Sequence, residues 1–267
     1  MLGAAGLARS TFFYHQARLQ EPERHRGLKE QIREIFQDSH GRYGYRRIHH
    51  VLTSNGHQVA PKTVLKCMRE AGLHCHVRRR RRYMAWRGAV GQIAPNVLER
   101  DFTAGAPNRK WVSDVTEFRI GDRKLYLSPM LDLFDHQVIA YELSTSPSLM
   151  LTNATLDHAL RDQPVEPGLI VHTDQGFQYQ HVSWRRRLAE VGAIQSMSRR
   201  GNCYDNAVME NFFGHLKAEA THHARPDSIE ALSSMIKDYI HWWNTRRVHS
   251  RLEGLSPVEY RAQALVA

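Results

Sequence analysis

Apolar positions recur three and four residues apart in "LKEQIREIFQDS", "YRRIHHVLTSNG" and "PKTVLKCMREAGL", which predicts three helices between Leu28 and Leu73. Punctuation supports them. Asn55-Gly56 closes the second helix, Pro61 suits the first turn of the third, and Gly72 suits its stop. Ahead of them, residues 1–24 hold a short helical appendage with Ser10 or Thr11 as its cap. From Asn108 the period shortens to two. "RKWVSDVTEFRI", "RKLYLSPMLDLFD" and "QVIAYELS" read as a three-stranded meander with turns at Gly121-Asp122 and Asp135-His136. A helix "LMLTNATLDHALRD", a strand in "PGLIVHTDQG", a helix "VSWRRRLAEVG" and a strand "AIQSMS" follow. Strands in a meander that then alternate with helices predict an α/β fold, a mixed sheet flanked by helices. The expected organisation is an appendage over 1–24, a helical domain over 25–76, a linker over 77–107, a core over 108–222 and a helical extension over 223–267.

Charge changes this picture. Lys and Arg number 37 against 27 Asp and Glu, a net charge of +10 that favours a polyanionic partner. The excess clusters at Arg78, Arg79, Arg80, Arg81 and Arg82, so the linker reads as a phosphate-contacting hinge. The helical domain resembles a helix-turn-helix module whose third helix offers Lys62, Thr63, Lys66 and Arg69 to a DNA groove; the alternative is a small bundle with a solvated basic face. Cys67, Cys75 and Cys203 form no CxxC pair, as expected of a reducing compartment. His74, Cys75 and His76 lack a second ligand pair at zinc-finger spacing. No apolar run nears the ~20 residues that cross a bilayer, and the first residues lack the order of a signal peptide, so a cytoplasmic protein without a membrane partner is expected.

Three carboxylates stand where chemistry is plausible. Asp114 falls mid-strand in "WVSDVTEF", on the side of Val112 and Thr116, while Glu117 falls on the other side. Asp174 ends the apolar run "LIVHTD", at the strand edge where open α/β sheets bind ligands. Glu210 borders the apolar stripe Met209, Phe212, Phe213, Leu216 and Ala220 of a helix, nearly in line with Asn206 and Lys217. Three converging carboxylates repel one another unless a cation sits among them, and hard oxygen donors select Mg²⁺, with Mn²⁺ as a substitute. Two such ions would activate the attacking oxygen and stabilise the leaving oxygen of a phosphodiester. Singly, each acid is as readily a solubility, turn or surface residue. Asp205 and Asn206 also suit a helix N-cap.

At these residues the chain resembles the integrase-type transposases of bacterial insertion sequences, the catalytic product of a second reading frame. Thirty-five residues separate Asp174 from Glu210, and Lys217 follows seven after the glutamate, as in the family's Asp, Asp, 35, Glu signature. "HTDQGFQY", "SMSRRGNCYDNAVMENFFGHLK" and "YIHWWNTRRVHSRLEGLSPVEY" are similar to its motifs, and "HGRYGYRRIHHVL" is similar to the region that precedes its core. The resemblance implies a ribonuclease H-like core in which Asp114, Asp174 and Glu210 hold two metal ions. It implies cleavage at an element's ends, transfer of the 3′-hydroxyl into target DNA, and assembly of a homo-oligomer on DNA, with an upstream-frame product as a further candidate partner. Rival readings are a nuclease of this fold that never joins strands and a DNA-binding regulator without catalysis. Candidate DNA contacts in this half are Asn206, Lys217, Arg199 and Arg200 of the basic loop, and Arg247, which with Arg246 either meets phosphate or covers a helix face. Trp242 and Trp243 suit a core better than a stacking platform, and His172 is either packed or a catalytic helper.

Overall fold

The computed structural model describes residues 8–20, 25–75, 92–221 and 226–266. The chain divides into two compact units, Met1–His76 and Val77–Ala267. The first holds α1 (Arg9–Gln20), α2 (Arg26–Asp38), α3 (Tyr45–Ser54) and α4 (Pro61–Glu70). Helix α1 begins ahead of Ser10, so Ser10 and Thr11 lie in its first turn and do not cap it. Helices α2 to α4 bury Ile32, Ile48, Leu52, Val64, Cys67 and Met68 against one another, each worth about 1.5–3 kcal/mol when the side chain is fully buried. Pro61 opens α4, where a missing N–H leaves nothing unsatisfied, and Gly56 and Gly72 follow α3 and α4 with left-handed backbone (φ 86° and 66°). The ammonium of Lys29, buried in α2, reaches Glu70 of α4 at 2.8 Å.

The second unit is built on six strands: β1 (Lys110–Ser113), β2 (Thr116–Ile120), β3 (Arg123–Asp132), β4 (Val138–Ser144), β5 (Ile170–Thr173) and β6 (Ile194–Met197). β4 runs antiparallel along one edge of β3, and β1 and β2 succeed each other antiparallel along the other edge. β5 then adds parallel to β1, and β6 parallel to β5. The strand expected to run unbroken through Asp114 is thus two strands, and Asp114 lies at the end of β1. The break has a local cause. The Asp114 carboxylate accepts the Val115 amide at 2.7 Å. Opposite it, the Pro129 carbonyl faces β1, taking the Ser113 hydroxyl at 2.9 Å, but proline has no N–H to return.

Alternation along the strands sends Trp111 and Met130 into one core and Val112 and Leu131 into another. The first is covered by α5 (Leu149–Asp162) and α7 (Val182–Glu190), through Leu156, Ala159, Trp184 and Leu188. The second is covered by α8 (Ala207–Leu216) and α9 (Ile229–Thr245), through Phe212, Leu216, Ile236, Tyr239 and Trp243. Helices on both faces of a mixed sheet are the architecture expected. A short helix α6 (Phe177–Gln180) precedes α7, a π turn (Lys217–Thr221) continues α8, and α10 (Pro257–Val266) follows α9. Residues 92–107, which composition assigns to a linker, pack on this unit: the Val97 and Leu98 amides donate to the Ser196 hydroxyl at 2.9 and 3.1 Å, and Leu98 is buried. From α10, Arg261 donates to the wholly buried Asp132 and Asp135, and Asp132 also accepts the Asn108 amide at 2.7 Å.

Candidate active site at the ends of the parallel strands

β1 and β5 pair in a fixed register, Lys110 with Ile170, Trp111 with Val171 and Val112 with His172. Carried beyond both strand ends, the same step sets Asp114 level with Asp174, on strands about 4.8 Å apart. Asp174 is held locally: its Oδ1 accepts the Gly176 amide at 2.8 Å, and a Cβ at residue 176 would stand 2.9 Å from that oxygen. Asp114 is held by Val115 and by the Asn206 amide, which donates to its Oδ2 at 2.8 Å.

Helix α8 lies along the broken strand. Asn206 bonds Asp114 at one end, and the Lys217 ammonium bonds the Thr116 hydroxyl at the other while lying 5.2 Å from the Phe118 ring centroid. Glu210 falls between these two attachments, in the first turn of α8. Burial raises the Asp114 pKa well above the usual carboxylate range; the charge of Asp174 adds to this, the Val115 and Asn206 bonds oppose it, and the charge of Glu210 raises it further. Burial likewise raises the pKa of Asp174, against the Gly176 bond. The three acids therefore share one field. Among the described residues, however, no three acidic, histidine or cysteine side chains are gathered as a ready-made metal cluster, and no lysine or arginine is paired with Asp114 or Asp174. Two hard-oxygen donors that burial and mutual repulsion penalise suit a divalent cation.

Several expected DNA contacts have other employment. Asn206 serves Asp114, and although it stands at the N-cap of α8 its side chain caps nothing. Lys217 is turned to the sheet. Arg199 forms a two-pronged bond to Asp205, 2.9 Å on each arm. Arg247 is buried; it bonds Glu219 at 2.9 and 3.1 Å and lies 4.3 Å from the Trp243 ring centroid, so it neither meets phosphate nor covers an outer helix face. Arg200, and Lys62, Lys66 and Arg69 on α4, are exposed. Arg78, Arg79, Arg80, Arg81 and Arg82 lie outside the described residues. Glu117 bonds Arg119, Lys124 and Tyr126, away from the acids. Trp243 belongs to the core.

His172 is a packed residue. Ser196 Oγ already accepts two backbone amides, so its proton goes to His172 Nδ1 at 2.8 Å, and Nε2–H donates to Ser198 at 3.0 Å. Burial lowers its pKa to about 4, as it does for His136, where the charge of Arg251 adds to the effect. Below the ordinary value of 6.5 the unfolded chain takes up protons that the folded one refuses, so stability falls with pH from about 6.5 to about 4. At ~1.4 kcal/mol per pH unit each histidine withdraws up to about 3 kcal/mol. Urea midpoints measured across that window should fall, and His172→Gln should flatten the slope.

Comparison with known proteins bears on the whole chain. Residues 23–82 match a family model described as an HTH-like domain, and residues 104–203 and 210–265 match two models described as integrase core domain. The putative transposase InsK of insertion sequence element IS150 from Escherichia coli K12 is 44% identical over 263 residues, 98% of this chain and 93% of that protein. The chain belongs to the insertion-sequence transposases. The probable transposase of element IS1353 from Shigella flexneri is 41% identical over 96% of this transposase, which spans 50% of that protein's length. Among solved structures, the HTLV-2 integrase catalytic core domain in complex with magnesium has a TM-score of 0.45 at 18% identity, over 59% of this chain and 98% of that one, too slight a likeness to add to the assignment. As a member of its family the transposase is a polynucleotidyl transferase with an integrase core and an HTH-like domain. Among the described residues no helix is long and apolar enough to cross a membrane.

Proposed function

We propose that this transposase cleaves DNA at the ends of its element and joins the freed 3′-hydroxyl to target DNA at one site, formed by Asp114, Asp174 and Glu210. The observation that supports this most is the shared register of Asp114 and Asp174 at the ends of adjacent parallel strands, both raised in pKa and, among the described residues, neither paired with a cationic side chain. Asp114 and Asp174 would hold the divalent ions, with Glu210 completing the set from α8. When bound, two ions of Mg²⁺, or Mn²⁺ in its place, supply an activated attacking oxygen and neutralise the leaving one. Asn206 orients the Asp114 carboxylate through one oxygen, and the Gly176 amide does the same for Asp174. Lys217 fixes α8 against β2, which would hold Glu210 in reach of the two aspartates. No nucleophilic side chain is needed, so both strand cleavage and joining are direct displacements at phosphorus, with no protein-DNA ester.

The first unit would recognise the element ends through Lys62, Lys66 and Arg69, and Arg78 to Arg82 would follow the phosphates onward. Two ends must meet for joining, so the working form would be a homo-oligomer on DNA at the nucleoid, with an upstream-frame product as a further candidate partner. A labelled duplex carrying the element's end, incubated with supercoiled plasmid and Mg²⁺, tests the reading. The expected result is labelled plasmid. Labelled fragments without joined plasmid would assign a nuclease, and tight binding with neither product, with or without chelator, would assign a regulator.

A further inference from the structure

The turn that leads into α8 combines a fixed mount with a displayed ring. Tyr204, in the 3-10 turn Cys203–Asn206, is 68% exposed, whereas the side chain of its neighbour Asp205 is wholly buried. Asp205 accepts from the Arg199 guanidinium, from the Arg199 amide at 3.0 Å, from Arg100 Nε at 2.8 Å and from the Asn96 amide at 3.1 Å. Asn202 accepts the Tyr204 amide at 3.1 Å. An exposed aromatic is thereby set on a turn that has little freedom to move.

Arg100 reaches this turn from a strained one. Glu99 and Arg100 both adopt left-handed backbone (φ 48° and 64°), though neither is glycine, and such strain persists where the surroundings enforce it. The result is a guanidinium that bonds Asp205 and lies 5.5 Å from the Tyr204 ring centroid. Anchoring Asp205 accounts for the arginine but leaves the displayed ring unexplained. Two residues after Tyr204, the Asn206 side chain donates to Asp114, so the turn that displays the ring also holds the candidate catalytic acid through a hydrogen bond. At about 2 Å of rise per residue the backbones of Tyr204 and Asn206 lie within one short turn of each other. Exposed Arg200 and the guanidinium of Arg100 give the surroundings the charge that a phosphate chain requires.

We propose that Tyr204 is a base-stacking residue that holds a nucleobase of the DNA strand next to the phosphate being cleaved, with Arg100 stiffening the ring. The assignment rests on the active-site reading above. A π face accepts any base, so Tyr204 fixes the position of the strand without reading its sequence. The test uses the full chain and a duplex carrying the terminal sequence that flanks its coding region. A fluorescent purine analogue replaces, in turn, each base bordering the cleaved phosphate. Stacking on Tyr204 should quench one of these probes on binding. Tyr204→Ala should abolish that quench and raise KM for cleavage about 5- to 150-fold, the range for losing one base-aromatic stack. Tyr204→Phe and Tyr204→Trp should keep both. The proposal is overturned if Tyr204→Ala quenches and cleaves as the unaltered chain does, or if Tyr204→Phe fails as badly as Tyr204→Ala, which would assign the hydroxyl and not the ring. Asp174→Asn, assayed alongside, separates the two claims: if it still cleaves, the active-site reading fails, and if it is inactive while Tyr204→Ala is normal, only the stacking fails.

Discussion

Asp174→Asn is expected to lower strand cleavage and joining by about a thousandfold or more while raising the melting temperature of the metal-free transposase. The activity loss follows from removing one of two oxygen ligands that would sit level at the ends of β1 and β5; interactions of this kind supply several kcal/mol to the transition state, at about 1.4 kcal/mol for each tenfold. The gain in stability follows from the same geometry. A carboxyl whose folded pKa lies above its unfolded value stabilises the fold fully only below the unfolded pKa, and that contribution is lost as pH rises through the folded pKa. At neutral pH the buried Asp114 and Asp174 therefore oppose folding, Asp114 through desolvation first and the charge of Asp174 next. Removing one charge relieves both, and each kcal/mol gained should appear as about 2–4 °C at this size. Scanning calorimetry with and without Mg²⁺ checks the pair of effects. Mg²⁺ should stabilise the unaltered protein and leave Asp174→Asn unmoved; an equal response in both would remove the pair as a metal site.

Arg247→Ala should destabilise the core by about 3–5 kcal/mol, because it withdraws the countercharge from a buried carboxylate. Glu219 sits in the π turn just after α8, nearly without solvent contact, and accepts from Arg247, from Tyr239 at 2.8 Å and from His215 at 3.1 Å. Burial alone would raise its pKa, but His215 and Arg247 outweigh burial and hold it well below the usual range. The arginine also lies against Trp243, so its loss removes packing as well as charge. Replacing both partners by neutral residues, Glu219→Gln with Arg247→Met, should recover much of the loss. Chemical denaturation of the two singles and the double measures this coupling, and strictly additive effects would exclude it.

The contrast between Asp174 and Arg247 shows what the sequence could reveal. Apolar periodicity located α2 to α4, α5 and α7 because each buries one continuous face, and "LIVHTDQG" marked Asp174 because a strand end followed by glycine is local. Asp114 was visible as an acid in a strand, but its place at a strand end was not, since that depends on Pro129 across the ladder. Charges were harder still. Arg247 and Glu219 stand 28 residues apart and Arg261 and Asp132 stand 129 apart, so a count of basic residues could not separate those already neutralised inside the fold from those left for DNA. One local hint existed: Glu219 interrupts the apolar run around Leu216, Ala218 and Ala220, and a carboxylate there must be buried with a partner. Asn206 stands likewise, its side chain taken up by Asp114, whereas Arg199 bonds the buried Asp205 with its own side chain 59% exposed.

The spacing of Asp114 and Asp174 is counted from the ends of β1 and β5 and not along the polypeptide. Lengthening the hairpin at Gly121 or the segment between β4 and α5 by several residues would leave the two aspartates side by side, since added loop length is thermodynamically cheap. Deleting a single residue within β5 would instead swing Asp174 to the opposite side of the sheet. Natural variation in chain length should therefore gather in those connections and spare the two short strands.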